Sequence, residues 1–194
     1  MRWDGLIGAC AIGLLVATVG ATEQDTLPAP WLRTGSATPA DKCRTSVTDV
    51  KAMRFDRALV LRCSGGASGF VTVMQQIAAD DYRGKRVRLS AQVRGDVVKN
   101  WAGLWMRVDG DKGAVLAFDN MKNRPLKGTF DWQGASVVLN VAPEATTLAF
   151  GVLQDGDGAT FAGQLAIEIV GTDVATTNTI HTVPKAPANL TLKP

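Results

Sequence analysis

Apolar residues in the middle of this chain recur at every second position, and that period constrains the fold more than any other feature. In "KRVRLSAQVR" (85–94), Val87, Leu89, Ala91 and Val93 fall on one face. Arg86, Arg88, Ser90, Gln92 and Arg94 fall on the other, because successive side chains of a strand point to opposite sides. Comparable runs are "ALVLRC" (58–63), "GFVTVMQQI" (69–77), residues 101–109, "AVLAFDN" (114–120), "ASVVLNV" (135–141), "TLAFGVL" (147–153) and "GQLAIEIV" (163–170). Gly, Asp, Asn and Pro punctuate them about every ten residues, the rhythm of an antiparallel sandwich. The expected fold is therefore all-β, a two-sheet antiparallel jelly-roll sandwich of about eight strands. At 194 residues and 46% hydrophobic content the chain suffices for one such domain and is short for two.

The flanks read differently. Arg2, the apolar run "GLIGACAIGLLVATVGA" (5–21) and polar "TEQDTLP" form the pattern of a secretory signal cut after Ala21. The competing reading is an uncut anchor helix, since the run is barely long enough to span a membrane. Both make the protein exported, either periplasmic or secreted, with membrane attachment only if the leader stays. Cys10 lies in "LIGAC", but the apolar run continues past it, which argues against lipidation there. Residues 22–42 are rich in Pro, Thr and Ala and read as an extended lead-in with Trp31 tucked against the domain. Residues 43–170 form the domain, and 171–194 read as a flexible tail. In an oxidising compartment Cys43 and Cys63 are expected to form a disulfide worth about 3 kcal/mol; two buried thiols are the alternative.

The segment "WAGLWMRVDG" (101–110) holds the best functional signal. Its even positions Ala102, Leu104, Met106 and Val108 make a complete core face. Its odd positions place Trp101 and Trp105 beside Arg107 and Asp109 on the second face. If 85–94 and 101–109 pair as a hairpin through "GDVVKN", Arg88, Ser90 and Gln92 join that surface. Indoles stack on sugar C–H faces, while Arg, Asp and amide groups bond hydroxyls in planar pairs. The structural alternative is a second small core under a loop, since Trp is usually largely buried. Downstream, Asp119, Asn120, Asn123 and Arg124 crowd a polar loop within "AFDNMKNRPLKGTFDW" (117–132). Binding residues often sit on such loops, although Asx side chains also cap turns and Arg124 can simply pair with Asp119.

The blocks "YRGKRVRLSAQV", "WAGLWMRVDG", "LAFDNMKNRPLKGTFDW" and "VVLNVAPEATTLAFGVLQDGDG" give residues 66–175 a resemblance to bacterial galactose-binding-like, carbohydrate-binding-module-like jelly-roll domains. Some relatives of that kind carry the label of transcriptional regulator. The resemblance implies non-catalytic binding. It implies no DNA-binding role, because these residues leave no room for a helix-turn-helix. Such modules commonly end in a strand with two aspartates and a glutamate, one aspartate helping to hold calcium. Here "FAGQLAIEIV" puts Gly163 and Gln164 in those places and retains Glu168, so an inherited metal site is not implied. Asp155 and Asp157 of "DGDG" lack the other ligands of a calcium loop and read as a tight turn.

Catalytic chemistries find little support. The single histidine, His181, lies in the tail, which argues against Ser–His or Cys–His nucleophile systems. No zinc-spaced set or phosphate-cradling loop occurs. Asp109, Asp119 and Asp131 are carboxylates that nothing in the sequence pairs for glycoside hydrolysis. A net charge of +3 is too weak to argue for nucleic acid. The expectation is a non-catalytic exported module, without cofactor or metal, that binds a carbohydrate or another small polar ligand. Trp101 and Trp105 would stack, and Arg107, Asp119, Asn120 and Arg124 would make polar contacts. The rival readings are a protein-interaction module of the cell envelope using the same face, and an accessory sensing domain related to regulators.

Overall fold

The structure is a computed structural model that describes residues 27–51, 55–180 and 190. The leader (1–21), Cys10 and His181 lie outside these residues. Nine strands form, all paired antiparallel: β1 (Leu32–Gly35), β2 (Cys43–Asp49), β3 (Arg57–Cys63), β4 (Phe70–Ala78), β5 (Arg86–Asp109), β6 (Val115–Asp119), β7 (Leu126–Asn140), β8 (Thr147–Asp155) and β9 (Gly158–Val170). The described residues are all-β, as their alternation predicts.

β5 organises the rest. Its first half, through Asp96, pairs with β9 on one side and β7 on the other. Its second half, from Trp101, pairs with β8 and β6. Two five-stranded layers result, β2-β3-β9-β5-β7 and β1-β4-β8-β5-β6, joined through β5 into one nearly closed sheet. Hence 85–94 and 101–109 do not form a hairpin. The β5 residues that enter the main core are odd up to Val93 and even from Leu104 onward. That one-residue phase change falls where Val97 adopts φ 51° and the β7 register slips. An inserted residue re-aims a strand without ending it, so "GDVVKN" is a bulge that carries β5 from one layer to the other.

Between the layers lies one main core. It includes Leu61, Val71, Val73, Leu89, Leu104, Met106, Leu139 and Leu148, each at most 1% exposed. The second-half face expected to be core, Ala102, Leu104, Met106 and Val108, is fully buried. Cys43 and Cys63 face each other across β2 and β3, Cα atoms 4.1 Å apart, and are bonded as expected.

Both flanks are more structured than their composition suggests. The lead-in supplies β1, which adds to β4, and Trp31 packs edge-on against Phe150 at 6.3 Å. Residues 171–180 do not behave as a loose tail. Thr177 exchanges bonds with Val138, the Thr179 amide donates to the Phe118 carbonyl, and Arg86 donates to the carbonyl of Thr172. Among the described residues no helix is long and apolar enough to cross a membrane.

Candidate functional site

The outer face of the β1-β4-β8-β5-β6 layer carries a cleft of about 540 Å³. Its floor follows from the strand register. Across β4, β8 and β5, Phe70–Asp155–Trp101 form one row, Thr72–Leu153–Gly103 the next, and Met74–Gly151–Trp105 the third. Two glycines keep this surface low. A Cβ on Gly151 would fall 2.1 Å from the Val73 carbonyl oxygen, so β4 approaches too closely for any side chain there. A Cβ on Gly103 would fall 2.9 Å from the Met121 Cβ, so the loop after β6 packs directly over it.

Trp105, paired with Gly151 across β5 and β8, reaches over the sheet toward β4. Its indole Nε1 donates to the Thr72 hydroxyl at 2.7 Å, although Thr72 lies two strands away, a separation of about 9.5 Å at ordinary strand spacing. Thr72 in turn donates to the Val152 carbonyl at 2.7 Å. The ring is therefore laid across the sheet and pinned at its far end, at 8% exposure, within a satellite cluster with Ala149 and Leu153. Phe70, Met74, Trp101 and Phe118 are only partly buried against that cluster. Trp105 is thus floor, and Trp101 and Phe118 are walls.

Polar groups rim the aromatic floor. Arg107 lines the cleft with 43% of its side chain exposed, and its Nε lies 2.8 Å from Asp109 Oδ1 and donates to Oδ2 at 3.0 Å. Asp109 is itself nearly buried. Asn120 and Lys122 line the neighbouring rim, where the Lys122 amide donates to Asn120 Oδ1 at 3.1 Å and holds the loop in a turn. Beside Trp101 in the first row, Asp155 accepts from Asn100 Nδ2 at 2.7 Å.

Four of the six expected ligand residues, Trp101, Trp105, Arg107 and Asn120, meet in this cleft. Asp119 and Arg124 do not line it. Asp119 is fully buried, caps the loop by accepting from the Met121 amide at 2.9 Å, and takes both Arg124 Nη1 (3.1 Å) and Nη2. Arg124 also donates to Asn123 Oδ1 and to the Ser136 carbonyl. This pair ties the loop to β7. Arg88, Ser90 and Gln92 are absent from the cleft as well, because β5 has changed layer. They line a separate polar groove of about 330 Å³ with Gly134, Gln164 and Glu168.

Phe70, Thr72, Met74, Phe118, Lys122, Leu153 and Asp155, together with Thr34, Gly35 and Ser36 at the end of β1, also line the cleft without having been expected there. Parity in "GFVTVMQQI" does put Phe70, Thr72 and Met74 on its second face. Their partnership with Trp105 depends on β8 lying between β4 and β5, which no local pattern reveals.

The "DGDG" turn divides its two carboxylates. Asp157 accepts from the amides of Gly66 (3.0 Å) and Ala67 (2.9 Å) and pairs with Lys99 Nζ at 3.1 Å. The Gly66 amide, then the Lys99 ammonium, hold the Asp157 carboxyl below its ordinary value of 3.8. Asp155 points instead to Asn100. Among the described residues no three His, Cys, Asp or Glu side chains converge as a metal set.

In its fold the chain is similar to carbohydrate-binding modules of solved structure. The structure is similar to the xylan-binding CBM22-1 domain of Xyn10C from Paenibacillus barcinonensis, at TM-score 0.50 and 14% identity, covering 77% of this chain and 90% of that domain. It is equally similar to the C-terminal family 22 carbohydrate-binding module of Xyn10B from Clostridium thermocellum (TM-score 0.50, 13% identity, 80% and 99% coverage). A further similarity is to the enzymatically active domain of bacteriophage CBA120 tailspike protein 4 (TM-score 0.57, 12% identity), where 73% of this chain overlies 20% of the tailspike chain. At these identities the likeness concerns the fold alone. By sequence, 109 residues, 56% of the chain, are 43% identical to an uncharacterised HTH-type transcriptional regulator, YbfP, of Bacillus subtilis, and this chain spans 37% of that relative's length. No protein-family model matches the chain.

Proposed function

We propose that the chain is a non-catalytic, exported binding module whose Trp-floored cleft takes a carbohydrate. The observation that carries this reading is the pinned Trp105 plate with Trp101, Phe118 and Met74 around it and Arg107, Asn120, Lys122 and Asp155 at its rim. A saccharide offers the same division, apolar C–H faces bounded by hydroxyls, and pockets of 300–1,000 Å³ are the usual size for small ligands. The family 22 fold supports the choice, since the domain of that kind from Paenibacillus barcinonensis is described as xylan-binding. The Cys43–Cys63 bond fits an oxidising compartment. The match to part of YbfP favours a second reading, in which the same ligand-binding module serves as the sensing part of a regulator in longer relatives.

Titrating the purified chain with xylo-, galacto- and arabino-oligosaccharides by calorimetry tests the proposal. Saturable binding that Trp101→Ala weakens at least tenfold supports it. No heat with any glycan at millimolar concentration rejects it.

A further inference from the structure

The opposite layer holds a second constellation that the cleft does not use. Arg94 lies on the outer face of β5 and is flanked by irregularities on both neighbours. The β9 register shifts between Ser90 and Gln92, with Gln164 at φ 51°, and the β7 register shifts between Val93 and Gly95. Bulges of this kind re-aim side chains and accumulate beside functional sites. The Arg94 guanidinium lies over the Phe161 ring at 4.1 Å and beside the Trp132 ring at 5.9 Å. Trp132 is met edge-on by Phe55 at 4.9 Å, and Phe55 rests on Gly163, where a Cβ would collide with it.

Arg94 Nε is fully buried with no hydrogen-bond partner, and among the described residues no carboxylate pairs with the guanidinium. A buried donor left unmatched beside aromatic rings is rare enough to require an explanation, and a planar guanidinium bonds a carboxylate bidentately. Gln92, two residues earlier on the same face, lines the 330 Å³ polar groove with Ser90, Gly134, Gln164 and the Arg88–Glu168 ion pair; Arg94 and Trp132 lie outside that groove.

We infer that Arg94 and Trp132 form a second, anion-selective ligand site, separate from the Trp101 cleft, that binds the carboxylate of a uronic-acid-containing saccharide. A uronate combines a C–H face for Trp132 with a carboxylate for Arg94. A bare phosphate or acetate satisfies only the second, and a neutral glycan only the first. The site stands independently of the Trp101 cleft.

Indole resonances in a ¹H–¹⁵N spectrum of the whole protein separate the two sites. Oligogalacturonate is expected to shift the Trp132 signal saturably, and xylo-oligosaccharide to leave it in place. Arg94→Gln should weaken oligogalacturonate binding about ten- to hundredfold, the range for losing a charge-assisted bond, while Trp101→Ala leaves it unchanged. If Arg94→Gln fails to fold, Arg94→Lys keeps the charge without the planar fork and should bind at least fivefold more weakly. A Trp132 signal that oligogalacturonate does not move, or moves equally in the Arg94 variant, overturns the inference. Phosphate or acetate producing the same shift at equal concentration overturns the uronate assignment. With oligogalacturonate, a shift at Trp101 alone overturns this site and leaves the cleft; the cleft is tested separately by xylo-oligosaccharide, which should move Trp101 and leave Trp132 in place.

Discussion

Replacing Arg124 by methionine asks whether the loop after β6 is held by its ion pair or kept for ligand contact. Methionine preserves the aliphatic stem and deletes the guanidinium. Asp119, with no exposed side-chain surface, would lose both guanidinium bonds and keep the Met121 amide, and the Ser136 carbonyl would lose a donor. Breaking a buried pair from one side costs about 3–5 kcal/mol. Arg124 is 34% exposed on its side chain, so water reaches the gap and the lower end, about 3 kcal/mol, applies. For a domain of this size that lowers Tm by about 6–12 °C. Urea unfolding followed by circular dichroism measures the loss directly. The double variant Asp119→Asn, Arg124→Met should lose less than the sum of the single changes, because no charge is stranded. Glycan affinity of the folded fraction should stay within about twofold, well inside the 1.4 kcal/mol of a tenfold change. A stability loss under about 1 kcal/mol, together with abolished glycan binding, would refute the structural role and return Arg124 to the ligand surface.

Trp105→Ala should cost about 3–5 kcal/mol, since the pinned indole fills its own cluster, whereas Trp101→Ala should leave the urea midpoint nearly unchanged and lower affinity; equal stability losses would contradict their assignment as floor and wall. Reducing Cys43–Cys63, or replacing both by alanine, should lower stability by about 3 kcal/mol with the fold's circular-dichroism spectrum retained at 25 °C, and an unchanged midpoint would contradict that. For Asp157, the folded carboxyl lies below its ordinary value, so its contribution is complete above pH 3.8 and lost as pH falls through the lower folded value. Asp157→Asn should therefore be less stable than the native chain near neutrality, and the difference should shrink below pH 3.8; a difference constant across that range would contradict the pairing with Gly66, Ala67 and Lys99.

Local alternation made most of the fold legible. Residues 58–63, 69–77, 114–120, 147–153 and 163–170 are strands close to where their period puts them, and the core face of 101–109 is buried to the last residue. The largest failure has a single cause. "GDVVKN" carries turn residues, yet it inserts a single residue into a continuous strand, and only pairing with four different neighbours decides between a bulge and a hairpin. Misplacing that junction transferred Arg88, Ser90 and Gln92 to the wrong surface. Residues 126–132 are polar because they lie at the edge of a sheet, and β1 is only four residues long. Both therefore lacked a buried face to announce them. Asp119 and Arg124 illustrate a further limit: identical residue types serve for ligand bonding and for loop stitching, and burial alone separates the two.

A neutral glycan bound in the cleft would lie against Trp101 and Trp105. Recording the indole N–H resonances during titration with a neutral oligosaccharide tests this most directly. Saturable shifts at Trp101 and Trp105, with Trp31 and Trp132 unmoved, are the predicted result. Saturable shifts at Trp132 with Trp101 and Trp105 silent would contradict it.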